Sequence, residues 1–125
     1  MNVTVLGLGF VGLTTGLGFA KKGFKTYGIE LCEDRLNSLK NFRIPFHEPY
    51  LEDALRETSN KTFFLEHDLK QAVKESDAIF ICVGTPSKKD GSADLKYVYD
   101  AIEQVLNVRS DKLQVIIIKS TVPPS

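Results

Sequence analysis

Short apolar runs alternate along this chain with longer stretches in which apolar residues recur every three or four positions. Val3, Val5 and Leu6 form the first short run, and Gly7 ends it. Short continuous runs are typical of strands buried on both faces of a sheet, whereas the wider spacing is typical of helices. The alternation predicts a parallel sheet with helices on both faces, because each buried strand needs cover above and below.

The predicted strands cover residues 3–6, 24–29, 62–65, 78–83 and 115–118. The predicted helices cover residues 11–22, 33–40, a short segment around 51–55, 69–74 and 95–106, and a loop with two prolines spans 41–49. Lys21, Lys22 and Gly23 are typical of a helix C-terminus. The fold class that follows is α/β, a single doubly wound parallel sheet.

Length and charge fit one small-molecule-binding domain. The chain has 125 residues, 42% of them hydrophobic, which is enough for one core. The 16 basic and 16 acidic residues balance, which argues against nucleic acid or a membrane surface as partner. With neither a membrane-length apolar stretch nor a signal-peptide pattern, we expect a cytoplasmic protein. Because the chain stops at residues 122–125, soon after the strand predicted at 115–118, we also expect a truncated fragment of a longer chain.

The first strand is followed by a G-x-G-x-x-G motif, made by Gly7, Gly9 and Gly12, which opens the first helix. Gly7 permits a tight turn, Gly9 lets the backbone approach a pyrophosphate, and Gly12 lets the helix pack closely on the sheet. The helix N-terminus supplies N–H groups and a partial positive charge for an anion. Gly16 and Gly18, inside the helix, predict further close packing, since glycine there costs about 1 kcal/mol relative to alanine.

An acidic residue ends the second predicted strand. Glu30 lies 18 positions after Gly12, close to the spacing expected for the carboxylate that holds the adenosine ribose of a dinucleotide. A 2′-phosphate there would meet like-charge repulsion, so the sequence predicts NAD over NADP, a preference that Arg35 could soften. The alternative is that Glu30 is a solvated charge at a strand end.

Two further groups follow later strands and should lie at the same edge of the sheet. Gly84, Thr85 and Pro86 follow the fourth strand and are candidates for contacting the cofactor. The alternative is that they only end the strand, with Asp94 capping the next helix. Thr121, after the fifth strand, is the candidate for the nicotinamide end, unless its hydroxyl bonds only to the local backbone.

The remaining reactive residues predict no chemistry of their own. Cys32 and Cys82 have neither disulfide nor metal-ligand spacing, and Cys82 lies inside an apolar run that predicts burial. His47 and His67 have no second ligand at a metal-binding spacing and are interpreted as surface residues. We therefore predict no metal and no catalytic residue in this segment.

Five blocks together resemble the UDP-glucose/GDP-mannose dehydrogenase family. They are GLGFVGL at residues 7–13, IPFHEP at 44–49, VGTP at 83–86, DGSADL at 90–95 and KSTVPP at 119–124. The resemblance implies a Rossmann NAD-binding domain over residues 1–125. Around the pyrophosphate it implies Gly7, Gly9, Phe10, Val11 and Gly12. Glu30 and Arg35 would hold the adenosine ribose, and Thr85 and Thr121 would approach the nicotinamide.

This chain departs from the family pattern at two positions. Glu30 stands where the family commonly has aspartate, and Tyr50 stands where it commonly has a glycine, in a turn where tyrosine would tolerate a positive φ poorly. The resemblance implies an enzyme that oxidises the C6 alcohol of a UDP- or GDP-sugar to a uronate in two hydride transfers, through a thiohemiacetal on a cysteine. That cysteine, the sugar-binding region and the homodimer interface are expected downstream, so the segment alone should be inactive.

Two other functions remain open from the sequence. One is a different Rossmann dehydrogenase, of the 3-hydroxyacid or 6-phosphogluconate type, which the VGTP and KSTVP blocks disfavour. The other is a non-catalytic nucleotide-binding sensor, which the fold alone permits.

Overall fold

The computed structural model describes residues 1–44, 48–66, 68–84, 89–91, 95–109 and 111–119. Its strands are β1 (Asn2–Leu6), β2 (Lys25–Ile29), β3 (Phe63–Glu66), β4 (Ala78–Ile81) and β5 (Val115–Ile118). Its helices are α1 (Phe10–Lys21), α2 (Glu33–Lys40), α3 (Pro49–Thr58), α4 (Leu69–Glu75) and α5 (Lys96–Val108). The predicted sequence of elements is confirmed, with boundaries that differ by one or two residues at several ends and by more at α3.

All strand pairs are parallel, in the order β3-β2-β1-β4-β5. The chain therefore moves outward from β1 in one direction through β2 and β3, and then returns to continue on the other side through β4 and β5. The predicted doubly wound sheet is confirmed. Its reversal point lies between β1 and β4, and the carboxyl ends of such strands are where open α/β sheets bind ligands.

The core has one layer on each face of the sheet. On one face, α1, α2 and α3 bury leucines such as Leu13, Leu39 and Leu55 against β1. On the other, α4 and α5 cover β4 with residues such as Val73 and Val105. In the part of the chain that the structure describes, no helix is both long and apolar enough to cross a membrane.

β4 ends two residues earlier than predicted. Ile81 pairs with Leu6, the last residue of β1, and beyond it the neighbouring chain turns away at Gly7, which has φ of +94°. Cys82 still donates its N–H to the Leu6 carbonyl, at 2.8 Å. The apolar run thus extends beyond the end of its pairing partner β1. The periodicity of one strand does not show where its neighbour ends.

The α1 helix begins at Phe10, one residue before the predicted start, and ends as the sequence predicts. Gly23 has φ of +95°, and its N–H bonds to the carbonyl of Ala20 at 3.0 Å. Of the two glycines inside α1, Gly16 packs as expected, because a Cβ there would lie 2.9 Å from the Phe63 ring. The prediction for Gly18 is wrong, since a Cβ at this exposed position would meet nothing within 4 Å.

Tyr50 stands where the family commonly has a glycine, but its backbone does not need the positive φ that a tyrosine would tolerate poorly. It lies in the first turn of α3, directly after Pro49. Its side chain is exposed, with the Lys21 ammonium 5.3 Å from its ring centroid. A helical tyrosine needs no positive φ, so the substitution is compatible with the local backbone.

Gly12→Ala and Gly18→Ala form a matched pair that tests the close packing of α1. A Cβ at Gly12 would overlap the carbonyl oxygen of Gly7, so we expect Gly12→Ala to lower the free energy of unfolding by about 1–3 kcal/mol. Gly18→Ala should raise it by about 0.5–1 kcal/mol, because alanine favours the helix. Urea unfolding followed by circular dichroism measures both, and a change of the same sign in the two variants would contradict this account.

Candidate functional site

A cavity of about 860 Å³ opens at the carboxyl ends of β1, β2 and β4, at the reversal point of the sheet. Its walls are the glycine-rich turn, the end of β2 with the start of α2, the end of β4, and one face of α5. Of the residues predicted from the sequence, the following line it: Gly7, Gly9, Phe10, Val11, Glu30, Arg35 and Gly84. Residues that are far apart along the chain, such as Gly7 and Gly84, thus meet in one cavity.

The remaining predicted residues do not line this cavity or cannot be placed. Gly12 lies behind the turn, where its lack of a side chain lets α1 approach Gly7. Thr85, Pro86 and Thr121 lie outside the described residues, as do Asp94, His47 and His67. Their roles stay predictions.

The glycine-rich turn is held against β2 and β4 by its backbone. Gly7 donates its N–H to the carbonyl of Ile29 at 2.8 Å, and a Cβ on Gly7 would lie 3.0 Å from the Cys82 backbone. Gly9 is the N-cap of α1, and a Cβ there would meet nothing within 4 Å. The turn is therefore tightly packed behind Gly7 and open in front of Gly9.

The N-terminus of α1 faces this open side and has the features of an anion site. No side chain caps it, and its first turn contains no acidic residue. The first turn of a helix leaves N–H groups without intrahelical partners and carries a partial positive charge, so a phosphate can take the place of a cap.

Glu30 is buried, with 7% of its surface exposed, which makes the alternative of a solvated strand-end charge wrong. Its Oε1 accepts the N–H of Leu8 at 3.0 Å, and its Oε2 accepts the N–H of Cys32 at 3.1 Å. The guanidinium of Arg35 lies 3.5 Å from Oε1, with its side chain 46% exposed. The carboxylate is thus held at the cavity wall by two backbone donors and faced by one partly exposed cation.

One wall of the cavity was missed by the sequence analysis. Tyr97, Asp100, Ala101 and Gln104 of α5 line it. Asp100 and Ala101 lie three and four positions after Tyr97, and Gln104 lies one turn further on, so all four share one helix face and the signal was present in the spacing. What the sequence did not indicate was that this face of α5 turns toward the glycine-rich turn.

Cys82 lines the cavity but is unsuited to act as a nucleophile. It is buried, as predicted, and burial raises the pKa of its thiol, while the charge of Lys119 opposes that effect. The protonated thiol is a poor nucleophile. Among the described residues no three His, Cys, Asp or Glu side chains come together to hold a metal ion.

Comparison with known proteins decides the family. The family model of the UDP-glucose/GDP-mannose dehydrogenase family, NAD binding domain, matches residues 1–125. The chain belongs to this family. It is therefore related to oxidoreductases, over the domain that binds NAD.

The UDP-glucose 6-dehydrogenase of Rhizobium meliloti is 40% identical over 126 residues, covering 98% of this chain and 28% of that enzyme. The solved UDP-glucose dehydrogenase of Pyrobaculum islandicum matches with a TM-score of 0.85 and 36% identity, covering 99% of this chain and 29% of that one. A ternary complex of GDP-mannose dehydrogenase from Pseudomonas aeruginosa matches with a TM-score of 0.89 and 31% identity, with the same coverage. The chain thus spans less than a third of each relative.

The two cysteines of this dehydrogenase domain should differ in reactivity. We expect iodoacetamide at neutral pH to alkylate the exposed Cys32 while Cys82 stays unmodified, because the thiolate is the reactive form and burial raises the pKa of Cys82. Mass spectrometry of the digested protein measures both sites, with Cys32→Ser as the control. Equal labelling rates at the two thiols would contradict the protonated state of Cys82.

Proposed function

We propose that this chain is the cofactor-binding part of a nucleotide-sugar 6-dehydrogenase. The longer protein would oxidise the C6 alcohol of a UDP- or GDP-linked sugar to a uronate in two hydride transfers. The observation that carries the proposal is that the N-terminus of α1, which no side chain caps, and the buried carboxylate of Glu30 line the same cavity. NAD supplies the hydride acceptor when bound, and the residues of this chain bind and orient it.

Different ends of the cavity would bind the pyrophosphate and the adenosine ribose of the cofactor. Gly7, Gly9, Phe10, Val11 and Gly12 form the turn and helix start that would surround the pyrophosphate. Its opening in front of Gly9 leaves the space that a phosphate needs for close backbone contact. The adenosine ribose would lie at Glu30 and Arg35, which line the same cavity.

The nicotinamide end is assigned to residues that follow β4 and β5. Gly84 lines the cavity, and Thr85, Pro86 and Thr121 come next along the chain after these two strands. Because parallel strands end at the same edge of a sheet, we propose that these residues contact the nicotinamide part of the cofactor. This assignment rests on the order of the strands and on the family resemblance.

Substrate choice belongs to the longer protein. The relatives include a UDP-glucose 6-dehydrogenase and a GDP-mannose dehydrogenase, and this chain covers less than a third of either. We propose UDP-glucose as the first substrate to test, since the relative of that name is 40% identical. We further propose that a homodimer carries out the reaction in the cytoplasm for polysaccharide synthesis, and that this segment alone binds NAD without turning substrate over.

Calorimetric titration with NAD and NADP tests the cofactor assignment. We expect NAD to bind more tightly, because the 2′-phosphate of NADP would approach the Glu30 carboxylate. Glu30→Ala should weaken NAD binding about 10- to 100-fold, which corresponds to about 1.5–3 kcal/mol for hydrogen bonds to a charged group.

Glu33→Ala is the matched control, since it removes an exposed carboxylate three positions further along the chain. Its NAD affinity should stay close to that of the unaltered chain. NADP binding as tight as NAD, or an equal loss in the two variants, would show that Glu30 does not hold the adenosine ribose.

A further inference from the structure

Both carboxylate oxygens of Glu30 are engaged by the protein itself. Oε1 accepts from Leu8 and Oε2 from Cys32, at 3.0 and 3.1 Å. A buried ionised carboxylate needs hydrogen-bond partners, and here two separate backbone segments supply them. The carboxylate therefore also constrains the two backbone segments that donate to it.

The two donors belong to different loops. Leu8 lies between Gly7 and Gly9, at the centre of the glycine-rich turn, and Cys32 is the N-cap of α2. The side chain of Leu8 is fully buried, so the core holds this residue from behind while Glu30 holds its N–H from the side of β2. Glu30 therefore joins the turn after β1 to the loop after β2.

We propose that Glu30 is also a positioning residue, whose carboxylate fixes the glycine-rich turn and so shapes the phosphate end of the cavity. This inference rests on the proposed function. It goes further, because phosphate binding should then depend on Glu30 even for a ligand with no ribose. By fixing Leu8, the bond to Glu30 would also fix the orientation of the N–H groups at the start of α1, which are the groups that would bind the phosphate.

The length of the side chain makes this contact specific to glutamate. Aspartate is shorter by one carbon–carbon bond, about 1.5 Å. From the same backbone its oxygen would fall beyond hydrogen-bond distance of the Leu8 N–H, which is now at 3.0 Å. Glutamine has the right length, but in the same placement its NH2 group would face one of the two N–H donors, so either Leu8 or Cys32 would lose its acceptor.

Positioning and ribose binding are compatible at one carboxylate. An ionised carboxylate offers about four acceptor sites. Two are taken by backbone N–H groups, and the contact with Arg35 is long, at 3.5 Å. Acceptor capacity therefore remains toward the cavity for a sugar hydroxyl.

The test compares Glu30→Asp with Glu33→Asp, which shortens a neighbouring exposed glutamate by the same methylene. Hydrogen exchange of the Leu8 amide is measured by NMR without any ligand, and inorganic pyrophosphate binding is measured by calorimetry. In Glu30→Asp we expect about tenfold faster exchange at Leu8 and about tenfold weaker pyrophosphate binding, the effect of losing one hydrogen bond to a charged acceptor. Glu33→Asp should change neither quantity.

Glu30→Gln keeps the side-chain length and covers the case in which the aspartate variant does not fold. In it, exchange should accelerate at Leu8 or at Cys32. Unchanged exchange at both amides, or accelerated Leu8 exchange with unchanged pyrophosphate binding in Glu30→Asp, would overturn the positioning role. Failure of the unaltered chain to bind pyrophosphate or NAD would instead count against the proposed function, since Leu8 exchange is measured without ligand.

Discussion

The close approach of α1 to the glycine-rich turn governs the geometry of the site. A side chain at Gly12 would overlap the Gly7 carbonyl, so the helix can lie where it does only because that side chain is absent. Gly7, in turn, reaches its position through a positive φ and a bond to Ile29 of β2. These contacts fix where α1 begins, and its beginning determines where its partial positive charge is directed.

The sequence predicted the parts of this arrangement that depend on local chemistry. Buried parallel strands and amphipathic helices each have their own periodicity, so the doubly wound sheet could be inferred before its strand order was known. The glycine spacing and the acid at the end of β2 predicted the two ends of the cavity in the same way. The cost of glycine inside a helix predicted close packing at both Gly16 and Gly18, and of the two only Gly16 has a packing partner, Phe63.

What could not be predicted depends on contacts between distant segments. Gly18 looks like Gly16 in the sequence but faces open space, since only the neighbours in the fold distinguish them. The α5 wall of the cavity could not be predicted, because the sequence does not show which face of that helix lies toward the glycine-rich turn. The bond from Leu8 to Glu30 joins residues 22 positions apart and leaves no trace in periodicity. The end of β4 was set by the length of its partner β1, which is likewise a property of the pair.

The reversal of the sheet at β1 has a consequence for cooperativity. The cavity takes its walls from β2 and α2 on one side of β1 and from β4 and α5 on the other. A dinucleotide lying across it would touch both halves, so loosening either half would release it. Since a ligand stabilises only the state that binds it, occupancy would make the two halves open together rather than separately. The bound cofactor would then link the two halves of the sheet across β1.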